Sequence, residues 1–499
     1  MSLLNPLHKP WGYRFLEVIP GALVWATFIF SIAISIIRPL WGVYFILAFD
    51  LYWLLRIVYL LVYMNISWRR YKVSLKTDWW DKVKTETPKY TEYYHAIFLP
   101  TLREPFEILD ETLASLKNCK FDSKQFIIIL GGEEIDRDNF LQNTQKLKEK
   151  YNGVFHNILT TVHPQGLPGE MVGKGSNSYF MAKRFNAYAE KEGIPDEKII
   201  VSNFDSDTQV HPHYFSYLTY TYLTVDDPTR YSYQPVSLYN NNIWESPFLT
   251  RIVYNSTTFW LFTDLARPER LFTFSSHSMS WVTLKKVGYW QPDIVTEDSR
   301  ICLQAMVHYH GDYLVKPMYI PISMDTAYIG SFLPTLVNQY KQQRRWAYGV
   351  ENFPYIVWHF WSDPKMSFGK KMRHLWNQLE GVYSWSTAPI IIFIMGNLPL
   401  AMLPEGQATS VLAQNAPFVL QAIMISAMIG LVFSAGFSSL LMPKKPKSIP
   451  IWKYAVIILQ WAFFPIAMVF FGSIPATDAQ TRLMLGKYLG FRVTQKKRA

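Results

Sequence analysis

Two aspartates in the middle of the chain have a spacing that fits a cation site. Asp205 and Asp207 follow residues 198–204, and the sequence KIIVSNF there is typical of a buried strand. Two carboxylates two residues apart, just beyond a strand, can hold a hard cation that in turn neutralises a diphosphate. Aspartates at strand ends also form ordinary turns, so the pair alone is a weak signal.

A second acidic pair could move a proton. Glu297 and Asp298 follow Thr296 and open a segment whose apolar spacing predicts a helix. A carboxylate there can act as a general base that deprotonates an acceptor hydroxyl. Acidic residues in a first helical turn also stabilise the helix through its dipole. Both interpretations are open from the sequence.

A glycine-rich loop is the third candidate. Residues 163–177 read HPQGLPGEMVGKGSN and surround a single lysine, Lys174. Backbone N–H groups and a lysine charge in such a loop can approach phosphates. The spacing does not fit a Walker loop. An ordinary surface loop is an equal alternative.

The fourth candidate is a segment rich in aromatic and basic residues. Residues 332–361 contain the run QQRRW at 342–346, and their composition predicts a helix lying at a membrane surface. The basic residues could serve a site or could reach out from an interfacial helix into water.

Strand and helix patterns alternate around these motifs. Residues 95–99, 126–130 and 198–204 are short apolar runs that predict buried strands, and residues 107–119 have the apolar spacing of a helix. Such a pattern indicates a parallel sheet covered by helices on both faces. Ligands bind such sheets at the carboxyl ends of the strands, where the aspartate pair and the 131–134 turn are predicted to lie.

The composition indicates a membrane protein with a large water-exposed domain. The 499 residues are 49% hydrophobic, 16% aromatic and only 17% charged, whereas soluble domains average about 25% charged residues. Five apolar stretches are long enough to be membrane helices; they are 20–37, 40–64, 381–403, 417–442 and 454–477. Two distant cysteines, Cys119 and Cys302, argue against a disulfide framework and for reduced thiols.

Basic residues predict which side of the membrane each part faces. The net charge of +11 is concentrated beside apolar stretches, which indicates cytoplasmic flanks rather than nucleic-acid binding. Residues 65–380 and the basic tail are then cytoplasmic, and 404–416 is outside. Three full crossings after residue 380 would leave the tail outside. We therefore expect 454–477 to be re-entrant or interfacial, bent at Pro465; a hidden sixth crossing is the alternative.

Asp50 and Arg56 are charges within the second apolar stretch and are functional candidates for that reason. Six residues apart, they do not share a helix face, so a local pair between them is not expected.

The order of these motifs resembles the membrane-embedded members of glycosyltransferase family 2, which include the cellulose, chitin and hyaluronan synthases. The motifs are the strand-end DxD, the ED pair, QxxRW and the spanning helices that follow. The similarity covers roughly residues 95–499. It implies an α/β GT-A domain, a Rossmann-like nucleotide-diphospho-sugar transferase fold, on the cytoplasmic face of the plasma (inner) membrane, with transmembrane helices on either side.

The resemblance also implies roles for particular residues. PTLREP at 100–105 resembles the family's first nucleotide-binding loop, and GKGSN at 173–177 its lysine-containing donor loop. The residues implied to bind the donor are Thr101, Glu104, Glu133, Lys174, Asp205, Gln342 and Arg345. Those implied to bind the acceptor are Trp346 and His277, those holding Mg²⁺ or Mn²⁺ are Asp205 and Asp207, and the catalytic pair is Asp298, as base, with Glu297.

Two regions differ from or extend this pattern. The family usually has an aspartate in the turn after its second strand, where this chain has Gly131, Gly132, Glu133 and Glu134; either glutamate is a candidate for the base contact. The tail sequence FRVTQK at 491–496 resembles the FxVTxK gating loop of cellulose synthase, which implies that Thr494 and Lys496 reach the donor diphosphate.

These features predict five regions. They are a transmembrane hairpin (1–64), the GT-A domain (65–330), amphipathic interface helices with QxxRW (331–380), C-terminal transmembrane helices (381–477) and the basic tail (478–499). The implied reaction is inverting transfer from a UDP-sugar to a growing polysaccharide. Transfer of one sugar to a lipid acceptor and an inactive membrane scaffold are the alternatives.

Overall fold

A computed structural model of the chain describes residues 9–447, 449–490, 494, 496 and 497. One mixed sheet of eight strands forms its centre; the strands are β1 Tyr94–Pro100, β2 Phe126–Glu133, β3 Asn157–His163, β4 Ile199–Asn203, β5 Gln209–Val210, β6 Tyr231–Leu238, β7 His277–Ser280 and β8 Leu314–Ser323. Their order in space is β3-β2-β1-β4-β7-β6-β8-β5.

Helices precede, cover and follow this sheet. Those up to the last strand are α1 Trp11–Ile37, α2 Pro39–Lys76, α3 Trp79–Glu86, α4 Phe106–Lys117, α5 Arg137–Lys150, α6 Lys174–Lys191, α7 Tyr214–Thr224, α8 Phe248–Leu265, α9 Trp281–Lys286 and α10 Glu297–His308. Those after it are α11 Phe332–Ala347, α12 Asn352–Trp361, α13 Phe368–Ile390, α14 Leu398–Ala401, α15 Glu405–Ala408, α16 Val411–Leu441, α17 Lys453–Leu459, α18 Phe464–Met468 and α19 Ile474–Met484.

The three strands predicted from apolar runs are present, at β1, β2 and β4. β3, β2, β1 and β4 pair in parallel, as expected for continuous β-branched runs. The other half of the sheet is mixed, because β7 pairs antiparallel with both β4 and β6. The predicted all-parallel sheet is therefore wrong for this half. β7 consists of His-Ser-Met-Ser and carries no apolar signal that could have indicated a strand.

The predicted turn at residues 131–134 begins later than expected. Gly131, Gly132 and Glu133 continue β2 and pair with β3. Both glycines are needed because helices press on the two faces of the strand. A Cβ at Gly131 would lie 2.2 Å from the Met181 sulfur on α6, and one at Gly132 would lie 2.3 Å from the Phe140 ring on α5.

Among the residues that the structure describes, five segments are long and apolar enough to cross a membrane: α1, α2, Phe368–Ala401, α16 and Lys453–Met484. They correspond to the five predicted stretches. α2 runs on through residue 64 to Lys76, and its last turns bury Ser67, Tyr71 and Ser74.

The last apolar segment is broken and both of its ends contact the α/β domain. A 3₁₀ turn at Gln460–Phe463 comes just before Pro465, and a π-helical turn follows at Val469–Ser473. At its start the ring of Tyr454 packs 5.5 Å from that of Trp244, beyond β6. At its end a cluster joins α19 to the loop before α10 and to the end of α11; it contains Val295, Ala347, Tyr348, Ala476, Ala479 and Leu483. This arrangement favours the re-entrant alternative.

Cysteine probes test on which side of the membrane the C-terminal tail lies. In a chain with Cys119 and Cys302, both buried, replaced by alanine, we expect Lys497→Cys to be shielded from a membrane-impermeant thiol reagent added outside intact cells. Gln407→Cys, in the short exposed helix α15 before α16, should be labelled and is the matched control. Labelling of both positions from outside would mean that the last segment crosses the membrane.

Candidate active site

The two aspartates after β4 lie in different surroundings. Asp205 is half-buried, whereas Asp207 is buried, with 1% of its side chain exposed. Asp207 Oδ2 accepts hydrogen bonds from the Asp325 backbone N–H at 2.7 Å and from Lys496 Nζ at 2.6 Å. Its other oxygen, Oδ1, is buried and has no hydrogen-bond partner among the described residues. One lone-pair-bearing oxygen of the DxD motif is therefore available to a ligand.

Lys174 joins the donor and base motifs. It is the first residue of α6, and its Nζ lies 2.8 Å from Asp205 Oδ1 and 3.0 Å from Asp298 Oδ1. Glu297 Oε1 is 3.7 Å away. Burial alone would lower the pKa of Lys174, but these carboxylates outweigh it and raise that pKa above its ordinary value. The predicted donor loop and the predicted acidic pair are therefore in direct contact.

The carboxylates around this lysine titrate differently. Burial tends to raise the pKa of Asp205, yet the charges of Lys174 and Lys496 hold it well below its usual range. Glu297 is fully buried, and burial together with the neighbouring Asp298 raises its pKa well above normal. Asp298 is one-quarter exposed and its backbone carbonyl accepts a hydrogen bond from the Thr273 hydroxyl at 2.5 Å. Of the two acidic residues, Asp298 is thus the one that a substrate can reach.

The predicted first nucleotide loop braces the DxD motif. The Thr101 N–H donates to the Gly131 carbonyl at 2.7 Å, so the loop continues from the paired ends of β1 and β2. Glu104 accepts hydrogen bonds from the Leu102 N–H at 2.7 Å and from the Ser206 hydroxyl, between the two aspartates, at 2.9 Å. Burial raises the pKa of Glu104 to about 7.

Glu133 lies inside the domain and not on an open surface. It is 3% exposed, and its Oε2 lies 2.9 Å from His163 Nδ1. The other ring nitrogen of His163 lies 2.8 Å from Glu170 Oε2. Burial would lower the pKa of His163, but the two glutamates raise it. Glu134 is exposed and accepts the Gln165 N–H at 2.8 Å, so it is the more accessible of the two glutamates.

The QxxRW residues face the same region from α11. Gln342 accepts a hydrogen bond from the Tyr254 hydroxyl, which itself accepts the Ala327 N–H at 2.7 Å. The Trp346 ring lies 5.9 Å from the Tyr239 ring and 6.1 Å from the Tyr254 ring. The pKa of Tyr254 is raised, first by burial, while Arg345 acts to lower it and Asp207 to raise it. Tyr254 therefore lies between the QxxRW and DxD motifs.

His277 is buried within the same cluster, on β7. Its Nδ1–H donates to the Phe274 carbonyl at 3.0 Å, and its Nε2 has no hydrogen-bond partner among the described residues. Burial lowers the pKa of His277 to about 4, so the ring is neutral near pH 7. Burial outweighs the charges of Asp298 and Asp205, which act to raise this pKa, while the charge of Lys174 acts with burial to lower it.

The tail reaches the site through Lys496, whereas the contact of Thr494 and Lys496 with a donor diphosphate stays a prediction. Besides the Lys496–Asp207 contact, the Lys497 N–H donates to the Tyr328 carbonyl at 2.8 Å, and Asn242 donates to the Lys497 carbonyl at 3.1 Å. Residues 491–493 and 495 of the FxVTxK match lie outside the described residues.

The residues present fit a divalent cation whose remaining ligands come from a diphosphate and water. The described residues contain no cluster of three or more His, Cys, Asp or Glu side chains arranged around a metal position. Mg²⁺ sites at phosphates commonly use only one or two carboxylates. Asp205 and Asp207, the latter through its Oδ1, provide two such carboxylates. In this structure the Asp207 carboxylate is paired with Lys496.

Several contributors to the site were not predicted from the sequence. Asp325 comes from the loop after β8, Tyr239 from the loop after β6, and Tyr254 from α8. None of the three belongs to a recognisable sequence motif. A tyrosine-rich stretch around 231–254 was the only available signal.

The mixed, Rossmann-like sheet and the apolar helices that flank it form the GT-A fold of glycosyltransferases. The chain belongs to glycosyl transferase family group 2, whose model matches residues 200–474, more than half of the chain.

Solved structures similar to the chain are glycosyltransferases with low sequence identity. The mannosyltransferase PcManGT from Pyrobaculum calidifontis, in complex with GDP-Man and Mn²⁺, is 14% identical with a TM-score of 0.46, over 85% of this chain and 97% of that one. TarS 1–349 from S. aureus, in complex with UDP-GlcNAc, is 13% identical with a TM-score of 0.37, over 68% of this chain and 90% of that one. Comparison with curated proteins gave no match.

Competition between Lys496 and a cation at Asp207 can be measured without turnover. We expect Lys496→Met to tighten Mn²⁺ binding, seen as loss of the free-ion signal in electron paramagnetic resonance, because it removes a positive charge 2.6 Å from Asp207 Oδ2. Asp207→Asn should weaken binding. Lys497→Met, at an exposed neighbouring lysine, is the control. Equal Mn²⁺ binding by Lys496→Met and the wild-type protein would contradict a shared site.

Proposed function

We propose that the protein transfers a sugar from a UDP-sugar to an acceptor hydroxyl, with inversion at the anomeric carbon, at the cytoplasmic face of the plasma membrane. The observation that carries this proposal is the position of Lys174 between Asp205 and Asp298. The two distances place these carboxylate oxygens within about 6 Å of each other. A donor diphosphate beside Asp205 and an acceptor hydroxyl beside Asp298 are then close enough to react.

The reaction is a single displacement in this proposal. Asp298 takes the proton of the acceptor hydroxyl while its oxygen attacks the anomeric carbon from the face opposite the UDP. The bond from that carbon to the phosphate oxygen breaks, so an α-linked donor gives a β-linked product. Lys174 and Arg345 stabilise the charge that develops on the departing diphosphate. A bound Mg²⁺ or Mn²⁺ supplies additional positive charge there.

Lys174 has to change partners for this chemistry to occur. A carboxylate paired with an ammonium at 3.0 Å is a weakened base. The diphosphate of an incoming donor offers Lys174 a stronger anionic partner, which frees Asp298. Donor binding thereby activates the base, and we expect little hydrolysis or transfer before the donor is in place.

A growing polysaccharide is the first candidate for the acceptor. Trp346 offers an apolar ring against which a sugar ring can stack, and Gln342 is held by Tyr254 close to the DxD motif. The neutral His277 lies on the same side as Asp298 and can accept a hydrogen bond from an acceptor hydroxyl.

A membrane lipid that receives one sugar is the second candidate. Arg56, Arg267 and Arg270, which lie between the spanning helices and the α/β domain, favour it. An inactive scaffold is disfavoured because Lys174 contacts both Asp205 and Asp298, and the second aspartate of the DxD motif, Asp207, is present beside Lys496.

The function is tested by UDP release from a panel of UDP-sugars, using purified full-length protein in lipid. We expect release with a subset of donors and in the presence of Mg²⁺ or Mn²⁺, and none in EDTA. Analysis of the products separates the acceptors: a ladder of lengths indicates a polysaccharide, and a single glycolipid indicates a lipid. Absence of release with every donor would leave the scaffold alternative.

Replacement of the base gives a sharper test. Asp298→Asn keeps the size of the side chain but removes its basicity, so we expect turnover to fall by about 10²-fold or more while UDP-sugar binding persists. Asp312→Asn is the matched control, since this carboxylate is exposed beyond the other end of α10. Near-normal turnover by Asp298→Asn would exclude Asp298 as the base.

A further inference from the structure

Three arginines meet where the spanning helices join the α/β domain. Glu380 on α13 is buried and lies 2.7 Å from an Arg56 nitrogen on α2 and 2.8 Å from an Arg270 nitrogen in the loop after α8. The Tyr52 hydroxyl lies 3.4 Å from the same carboxylate. Glu380 was not predicted as a site residue, although it is the last charge before the 381–403 apolar stretch.

Arg267 completes the cluster from the end of α8. Its guanidinium lies over the rings of Tyr59 and Tyr63 on α2, 4.8 and 5.2 Å from their centres. Its ionic partner is Glu269, an exposed residue, at 3.4 Å. Asp264, one turn earlier on α8, is buried, and burial raises its pKa to about 6.

The arginines have more hydrogen-bond donors than the cluster has acceptors. Each guanidinium carries five N–H groups. The Nε atoms of Arg56 and Arg270 are buried and have no hydrogen-bond partner among the described residues, and the Nε of Arg267, also buried, lies 3.4 Å from the exposed Glu269 carboxylate. Buried donors without acceptors are costly, and an anion with several oxygens would satisfy them. Guanidinium groups bind phosphate oxygens in a bidentate geometry and suit this task better than lysines.

The helices that carry the cluster have exposed apolar side chains. Leu55, Val58 and Val62 on α2 and Trp376 on α13 are exposed apolar side chains of the helices that carry Arg56 and Glu380. Trp260 on α8 is 44% exposed and packs against Phe274. An anion held by these arginines could therefore have an apolar tail among the spanning helices.

A short stretch of chain connects the cluster to the proposed base. Arg270 is three residues before Thr273, whose hydroxyl donates to the Asp298 carbonyl. Three residues of extended chain reach at most about 11 Å. A head group whose phosphate is at Arg270 could therefore place a hydroxyl near Asp298.

We propose that Arg56, Arg267 and Arg270 bind the phosphate of a lipid acceptor, whose hydroxyl-bearing head group reaches Asp298 and whose tail remains in the membrane. This inference rests on the proposed transfer reaction and names its acceptor class. The phosphate itself does not react: the attacking atom is the head-group hydroxyl oxygen, and its proton passes to Asp298. If the arginines served only to brace α2 against α13, no lipid phosphate would bind them.

Binding can be measured without turnover on full-length protein in neutral detergent. The probe is water-soluble dihexanoyl phosphatidylglycerol, which has a phosphate and free hydroxyls, titrated by calorimetry. Dihexanoylglycerol has the same chains without phosphate, and inorganic phosphate has no chains. We expect the phosphatidylglycerol to bind more tightly than either.

The variants are chosen to keep the Glu380 pairs intact. Arg267→Gln removes a guanidinium whose ionic partner is exposed, and we expect it to weaken phosphatidylglycerol binding by about tenfold. Arg267→Lys should recover part of the lost affinity, because the positive charge remains but the planar guanidinium, which can bind a phosphate through two N–H groups, is absent. Arg373→Gln removes an exposed arginine from α13 and is the control, with binding expected to equal wild type.

Distinct results overturn the lipid-phosphate site and the transfer reaction. Equal binding of phosphatidylglycerol and dihexanoylglycerol, unchanged binding by Arg267→Gln, or an equal loss in Arg373→Gln would exclude the site. Inorganic phosphate binding as tightly as the lipid would replace it by a free-anion site. Arg267-dependent lipid binding in a protein that releases no UDP from any donor would keep the lipid site and refute the transferase proposal.

Discussion

A single ammonium group organises the catalytic end of the sheet. Lys174 lies within 3.0 Å of carboxylates from two separate parts of the chain, the loop after β4 and the first turn of α10, and a third carboxylate is 3.7 Å away. Without this charge, three acidic side chains would repel one another in a largely buried space. The glycine-rich loop delivers the lysine to this point, and the other motifs are arranged around it.

The membrane segments contribute directly to that site and do not merely anchor it. The broken segment after α16 starts and ends against the α/β domain, and the chain beyond it brings Lys496 to Asp207. On the other side, α2 and α13 bring Arg56 and Glu380 to the loop that leads to Thr273 and Asp298. Asp207 and Asp298, on two sides of the site, are thus each connected to a different set of spanning helices.

The sequence predicted the parts of the molecule whose signals are local. The apolar runs at β1, β2 and β4, the helix that begins at Glu297 and the five apolar segments all have their expected places. The antiparallel β7 and the continuation of β2 through two glycines were missed, because tertiary contacts decide both: β7 is paired on both sides, and the glycines are required by Met181 and Phe140. Ion pairs such as Arg56–Glu380 join residues too distant in sequence for any pattern to show.

The contact between Asp207 and Lys496 has a consequence for biosynthesis. The two residues are separated by 289 positions, and the intervening chain includes three of the five long apolar segments. A ribosome makes the aspartate long before the lysine, so this carboxylate has no ammonium partner from Lys496 until those segments have been made. The Asp207–Lys496 contact is therefore completed late in biosynthesis, after the sheet and the last apolar segments have been made.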